Sequence, residues 1–569
     1  MPIPDLLTLL AFCLAILVIT PLLGTYIHRV MEGERTVLSP VLGPLERGIY
    51  RVTGIDPSNE QDWKGYAASV LVMAFVAIVV GYVVLRLQDV LPLNPNAATP
   101  QSPDLALNTS VSFETNTNWQ NYAGETGVSY LSQMLILAVR NFTSAATGLA
   151  VAIALVRGLT RRSTKLLGSY WVDLTRGILY ILLPVAVVVA LFFVWQGMPQ
   201  TLGGPATATT LQGVKQTIAM GPMASQEVIK ELGNNGGGFL NANSAHPFEN
   251  PTPLTNLVEM ILMFSMPFSL TYAFGRYAGN QRQGWAIFGA MASVFIVGAV
   301  VAMHSQAGGN PLFPSAVDQA AGSMEGVDTR LGASVGALFG AITTSTSTGA
   351  IIAWHDSFQP LAGLVPLFNM ELGEVTPGGI GAGLYGMLVI GAILSVFIAG
   401  LMVGRTPEYL GKKVEAYEMK MAMLVVLVLG ASILGFTALA TVVPAGLAGP
   451  LNAGPHGFSE ILYAYSSQTG NNGSAFGGLT GNTPFYNVTG ALAMLIGRYG
   501  MIVPILALAG SMAGKRRVAA SLGTFPTTGV LFSVLVVGVI VIVGALTFFP
   551  ALALGPIVEQ LLQNAGKVF

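Results

Sequence analysis

The chain has 569 residues, 52% of them hydrophobic and 9% charged, with a mean hydropathy of +0.64 and a formal net charge of -1. That balance excludes a large soluble enzyme and fits an integral membrane protein, while the net charge says nothing about partners. A single cysteine, Cys13, rules out a disulfide within the chain and a cysteine metal site, and 68 glycines fit close helix packing and re-entrant backbone.

Apolar runs of about 20 residues predict ten membrane spans. They fall near residues 5 to 27, 66 to 88, 128 to 156, 169 to 196, 252 to 275, 284 to 305, 376 to 404, 419 to 444, 485 to 512 and 527 to 549. The first run is expected to be a retained span and not a signal peptide, because acidic Asp5 stands where a basic leader would be, and Arg29, Arg35, Arg47, Arg51 and Lys64 follow it. Later cations cluster in alternate connections: Arg157, Arg161, Arg162 and Lys165; Arg276 and Arg282; Arg405, Lys412, Lys413 and Lys420; Lys515, Arg516 and Arg517. These connections are expected on the cytoplasmic side, with both termini outside. The other connections carry only Lys215, Lys230 and Arg330 as cations and are expected to face outward.

Four of the outward connections each contain a short helix candidate too short to cross, running into an uncharged, acceptor-rich segment. The candidates are Asp104 to Glu114, Pro222 to Leu232, Gly332 to Thr343 and Gly457 to Ser467. The segments read Thr115-Asn-Thr-Asn-Trp-Gln-Asn, Asn234-Asn-Gly-Gly-Gly-Phe, Thr343-Thr-Ser-Thr-Ser-Thr-Gly and Thr469-Gly-Asn-Asn-Gly-Ser-Ala-Phe. Gly, Ser, Thr and Asn let a backbone turn its carbonyls inward, and a ring of such carbonyls can replace the water shell of a weakly hydrated monovalent cation. A half-helix aiming its C-terminal carbonyls at the same centre adds partial negative charge there. Each unit is therefore span, half-helix, segment, span. It recurs about every 110 to 125 residues, the plan of a fourfold pseudosymmetric channel in one chain. The expected fold is an all-α polytopic membrane protein divided as follows: an extra first span and loop at 1–65, units at 66–164, 165–283, 284–418 and 419–517, and an extra last span and tail at 518–569. A phosphate-cradling reading of the glycines fails, since no strand precedes them and no Lys-Ser or Lys-Thr pair follows.

The segments TNTNWQNY, NNGGGF and GNNGSAF, with the later LGEV, GLYGML and MLIGRYG, resemble the potassium-binding, potassium-translocating subunits of Kdp potassium-transporting ATPases over essentially the whole chain. The wider superfamily of Trk, Ktr and HKT potassium transporters shares the fourfold plan. The resemblance implies K+ as the transported ion, a bacterial-type inner membrane, a KdpB-like P-type catalytic subunit that hydrolyses ATP, and small KdpC-like and KdpF-like accessory subunits. This chain carries no Asp-Lys-Thr-Gly-Thr phosphorylation sequence and no GxxxxGK[ST] loop, so it is not expected to hydrolyse ATP alone. Carried over residue by residue, the family's filter falls on Thr115, Asn116, Thr117, Asn118 and Gln120, then on Asn235, Gly236, Gly237 and Gly238. It continues on Thr344, Ser345, Thr346, Ser347, Thr348 and Gly349, and ends on Asn471, Asn472, Gly473 and Ser474. The third segment departs most from the family wording, in which Ala and Cys occur among the Ser and Thr positions. Gln120 matches a family glutamine that influences potassium affinity.

Charge inside apolar spans is costly and usually functional, which singles out Glu374 and Arg498. Glu374 lies where Gly373, Pro377, Gly378, Gly379, Gly381 and Gly383 should break span seven, and Arg498 lies midway along span nine. The expectation is that the two pair beneath the ring and that the broken segment gates it; the plainer reading is a neutral pair pinning two helices. Arg140 in span three is expected at the outer interface or in a structural pair, with pore lining as the alternative. Glu125, Glu227, Glu231, Asp356 and Glu460 either concentrate cations at the mouth or are simply solvated. Residues 91 to 110 read as a solvated cap, and Arg405, Lys412 and Lys413 as docking candidates for the catalytic partner. Two other classes stand beside the pump subunit: a self-sufficient Trk or Ktr type potassium channel or symporter, and a secondary transporter of an organic solute. Four parallel units and the absence of an anion-binding basic residue disfavour the second.

Overall fold

The computed structural model describes residues 2–567 except 374, 403, 405, 406 and 520–523. Ten of its helices are long and apolar enough to cross a membrane: Ile3–Met31, Trp63–Leu87, Tyr130–Thr160, Tyr170–Trp195, Pro253–Tyr277, Gln281–Ala307, Ala382–Met402, Ala416–Ala440, Pro484–Gly514 and Val530–Leu554. They are spans one to ten below. Their starts follow local sequence rules. Span five opens on Thr252, whose side chain caps the first turn in a reciprocal box with Thr255, ahead of Pro253. Asp62 caps span two through the Gly65 amide.

Burial sorts the spans into two rings. Spans three, five, seven and nine, the second of each unit, are 56% to 89% buried along their apolar windows, whereas spans two, four, six and eight are 28% to 50% buried. The first group surrounds the centre and the second encloses it, with Leu and Val side chains such as Val72, Val76, Val188 and Leu191 turned outward. Spans one and ten lie outside both rings. Span one is clamped to span five where Gly24 leaves no room for a Cβ, which would stand 2.5 Å from the Ser269 carbonyl oxygen, and Phe12 meets Phe264 edge-on at 5.1 Å. Span ten packs on span six through Ser533, whose hydroxyl donates to the Ala286 carbonyl at 2.8 Å. Short antiparallel pairs tie the loops on the basic face, Gln61–Asp62 with Leu166–Gly168 and Glu408–Tyr409 with Lys412–Lys413.

Four shorter helices enter the inner ring: Pro103–Glu114, Met223–Leu232, Ala333–Ser345 and Gly454–Gly470. The third unit differs from the others. A helix at Pro360–Glu371, which the hydropathy pattern does not separate, precedes an irregular stretch, and span seven begins only at Ala382, six residues later than its apolar run suggests. Left-handed Gly373, Gly378 and Gly381 supply the break. The stretch is packed against the ring's support: the Gly378 amide donates to the Ser345 carbonyl at 2.7 Å, and the Ile380 carbonyl oxygen lies 2.3 Å from where a Gly148 Cβ would stand. Residues 91 to 102 form a largely exposed cap that is pinned from beneath, because buried Gln88 donates to the carbonyls of Thr99 and Gly127 and half-buried Asn96 to those of Glu125 and Val128.

Candidate functional site

Each half-helix ends in the same backbone device. Within two residues of the helix end one residue adopts a left-handed conformation, the next returns to negative φ, and the one after is left-handed again: Asn116 and Asn118, Asn234 and Gly236, Ser347 and Gly349, Asn471 and Gly473. Between them, the amides of Thr117, Asn235, Thr348 and Asn472 donate to the carbonyls of Ser112, Lys230, Thr343 and Ser467, each five residues back, at 2.8 to 3.0 Å. These two regularities fix one register for all four units, including the third. Alternating handedness turns successive carbonyls to one side, whereas an extended strand would alternate them. Asn tolerates the left-handed region better than other residues with a Cβ, which accounts for three of the four first positions.

The four segments close on one another in sequence order. A Cβ on Gly236 would stand 2.0 Å from the Thr348 carbonyl oxygen, one on Gly349 2.1 Å from that of Asn472, and one on Gly473 2.0 Å from that of Thr117. The remaining joint uses side chains, since Asn116 donates to the Asn234 carbonyl at 2.6 Å, and Gly237 leaves room for the Asn118 Cβ. Thr115 and Thr117 share a hydroxyl hydrogen bond of 2.8 Å, as do Thr346 and Thr348. Ser474 is held by the Tyr463 hydroxyl at 2.8 Å. Thr344 and Ser345 lie within the third half-helix, behind the ring backbone. Asn234, outside the carried-over set, occupies the first left-handed position of the second unit; the signal for it is the repeat Asn-Thr-Asn, Asn-Asn-Gly, Ser-Thr-Gly, Asn-Asn-Gly at the four helix ends. Gln120 clamps the first and second segments, since its amide donates to the Gly238 carbonyl at 3.2 Å and accepts from the Gly238 amide at 3.1 Å.

Charged groups stand one layer behind. Arg140 is 9% exposed, 3.9 Å from Glu114 and 3.3 Å from the Ala77 carbonyl, which makes it a structural pair and not a pore-lining residue. The Arg498 guanidinium, buried, donates to the Ser144 carbonyl at 2.9 Å, close to the Gly148 and Ile380 contact with the broken stretch. Glu374, its expected partner, lies outside the described residues, as does Arg405. The carboxylates read as mouth charges are engaged elsewhere. Glu227 and Glu231 are fully buried around Lys230, Glu460 accepts from Asn452, and Glu125 accepts from the Asn241 amide at 2.7 Å. Asp356 and Glu559 bracket His456 at 3.1 and 2.9 Å. Burial opposes charge on this imidazole, but its hydrogen bonds to both carboxylates outweigh that and hold its pKa up at about 10. On the basic face, Lys412 is buried with its ammonium on the carbonyls of Gly158, Arg161 and Met512, so it staples the ends of spans three and nine and is no free docking charge; Lys413 is exposed.

The double ring of spans around four half-helices and a closed ring of uncharged carbonyl-bearing segments defines a cation-channel-like membrane transporter fold. Its shape is shared with the potassium transporter TrkH from Vibrio parahaemolyticus, with a TM-score of 0.53 and 14% identity over 86% of this chain and 97% of that one. The chain belongs to the potassium-transporting ATPase A subunit family, whose model matches residues 10–561. Among relatives named potassium-transporting ATPase potassium-binding subunit, that of Methylobacterium radiotolerans is 61% identical over 547 residues (96% of this chain, 95% of that one). That of Methylorubrum populi is 60% identical over 558 residues (98% and 97%), and that of Bradyrhizobium diazoefficiens 57% over 563 (99% of each).

Proposed function

We propose that this chain is the potassium-binding, channel-like subunit of an ATP-driven potassium uptake pump in a bacterial inner membrane. The observation that carries the reading is the common register of the four segments, joined to family membership over nearly the whole chain. In it, K+ enters from the outer side, where both termini also lie, and sheds water onto the carbonyls of 115–118, 234–237, 346–349 and 471–474. Carbonyl dipoles suit a weakly hydrated monovalent ion, and no charged side chain stands in the ring to hold the ion too tightly for release. The ion moves inward past the stretch between Glu371 and Ala382, which acts as the gate, with Arg498 beside it. The four units divide the chain at 66–164, 165–283, 284–418 and 419–517, and the energy comes from a separate P-type ATPase subunit, with small accessory subunits completing the complex.

The test is ATP hydrolysis by the complex purified through a tag on this chain, in potassium against sodium, with wild type compared with Gly237→Asp. Stimulation by potassium alone, with ion discrimination lost in the variant, supports the reading. Conduction of potassium by this chain alone in liposomes, with no ATPase co-purifying, would make it a self-sufficient channel.

A further inference from the structure

The second half-helix carries a lysine that no other unit has at that place. Lys230 is the residue whose carbonyl accepts the Asn235 amide, and its counterparts in the common register are Ser112, Thr343 and Ser467. Two of those bond their own segment directly: the Ser112 hydroxyl donates to the Trp119 carbonyl at 2.9 Å, and the Ser467 oxygen accepts the Gly473 amide at 2.9 Å. Lys230 does so at longer range. Its ammonium, 0% exposed, sits 2.7 Å from Glu227, 2.9 Å from Glu249 and 3.8 Å from Glu231, and donates to the Asn243 side-chain oxygen at 2.9 Å. The other end of that amide donates to the Gly236 carbonyl at 2.7 Å, and its oxygen also takes the Ile351 amide of the third unit at 3.3 Å. Glu249 in turn accepts the Leu240 amide at 2.7 Å, just past the second segment.

Glu227, Glu231 and Glu259 are buried with carboxylate oxygens within 4.8 Å of one another, an arrangement that could hold a metal ion. The ammonium of Lys230 is already the cation on two of these carboxylates, Glu227 and Glu231, tethered to the chain. Charge-assisted hydrogen bonds are short and strong, and they strengthen further at a group 0% exposed to solvent. The ammonium therefore fixes the orientation of Asn243, and Asn243 fixes the Gly236 carbonyl at the narrow joint between the second and third segments. We propose that Lys230, acting through Asn243, is a positioning residue that sets which monovalent cation the ring accepts. The inference rests on the ring being the ion-selective element.

Two variants test it in the intact complex. Asn243→Asp keeps the shape and the oxygen facing Lys230 but replaces the donor to Gly236 with an acceptor. Lys230→Met combined with Glu227→Gln, Glu231→Gln and Glu249→Gln removes the ammonium together with the three carboxylates within 4 Å of it, so that none of them is left facing a missing cation. Expected in both is a roughly tenfold weaker apparent affinity for potassium in ATPase stimulation and a narrowed preference over sodium, with maximal turnover retained. Lys230→Arg, which keeps the charge, should recover part of the discrimination. A purely structural role would lower assembled yield and turnover while leaving the potassium to sodium ratio where it was, and that result overturns the inference. Gly237→Asp, measured alongside, separates the failures: if it shifts ion preference and the other two do not, the ring stands and Lys230 has no such role. If none of them shifts it, the ring reading falls as well.

Discussion

The ring and the layer behind it meet opposite electrostatic demands. Within the segments every contact is between backbone groups, hydroxyls and amides, and the joints close so tightly that three of the four leave no space for a Cβ. One layer out, ion pairs are frequent: buried Arg140 with Glu114, Arg157 with Asp173 at 2.7 Å and Lys230 with its carboxylates, and half-buried His456 between two acids. A fixed charge in the ring would bind or repel an ion too strongly to let it pass, whereas a neutralised pair behind it stiffens the scaffold and adds little net field. The ring thus depends on geometry, and the outer layer on charge balance.

Breaking the geometric side should have the largest effect. Gly349→Ala places a Cβ on a residue with φ of +85° and 2.1 Å from the Asn472 carbonyl oxygen. The backbone strain alone costs about 1–3 kcal/mol, and the clash cannot be relieved by a side-chain shift because its partner is backbone. Potassium-stimulated ATP hydrolysis should be abolished in complexes that still assemble.

Away from the Lys230–Asn243 link to the Gly236 carbonyl, the outer layer should respond in stability and not in selectivity. Arg157 donates to both oxygens of Asp173 and to the Met31 carbonyl, joining spans three, four and one. Arg157→Met leaves Asp173 buried without its cation and should destabilise by about 3–5 kcal/mol, seen as a lowered melting temperature of the purified protein. Surviving protein should keep its potassium over sodium preference; a change in that preference would erase the contrast between the layers.

The smallest effect is a pH dependence. His456 ties the short terminal helix Pro556–Asn564 through Glu559, and Asp356 in the third unit, to the start of the fourth half-helix. Because its folded pKa is raised to about 10 from an ordinary value of about 6.5, its stabilisation is complete below about 6.5 and declines as pH climbs to about 10. The melting-temperature advantage of wild type over His456→Gln should shrink steadily across that interval. A constant difference would mean that the imidazole contributes packing alone.

The number of spans, their order, the four half-helices and the break in the third unit were written in the sequence because each is a local property: an apolar run of sufficient length, a proline start, a glycine cluster. So was the chemistry of the segments, since uncharged acceptors between apolar spans have few other uses. What local pattern leaves open is depth and partnership. Glu227, Glu231 and Glu460 read as surface acids because burial is decided by helices distant in sequence, and Lys412 reads as a docking charge until the ends of spans three and nine supply its carbonyls. The register of the third segment is likewise invisible in a run of alternating Ser and Thr, where neighbouring frames look alike. Gly349 against the Asn472 carbonyl selects one frame, because only a residue without a Cβ fits at that joint, and a contact between residues more than 120 positions apart exists only once the four units have closed on one another.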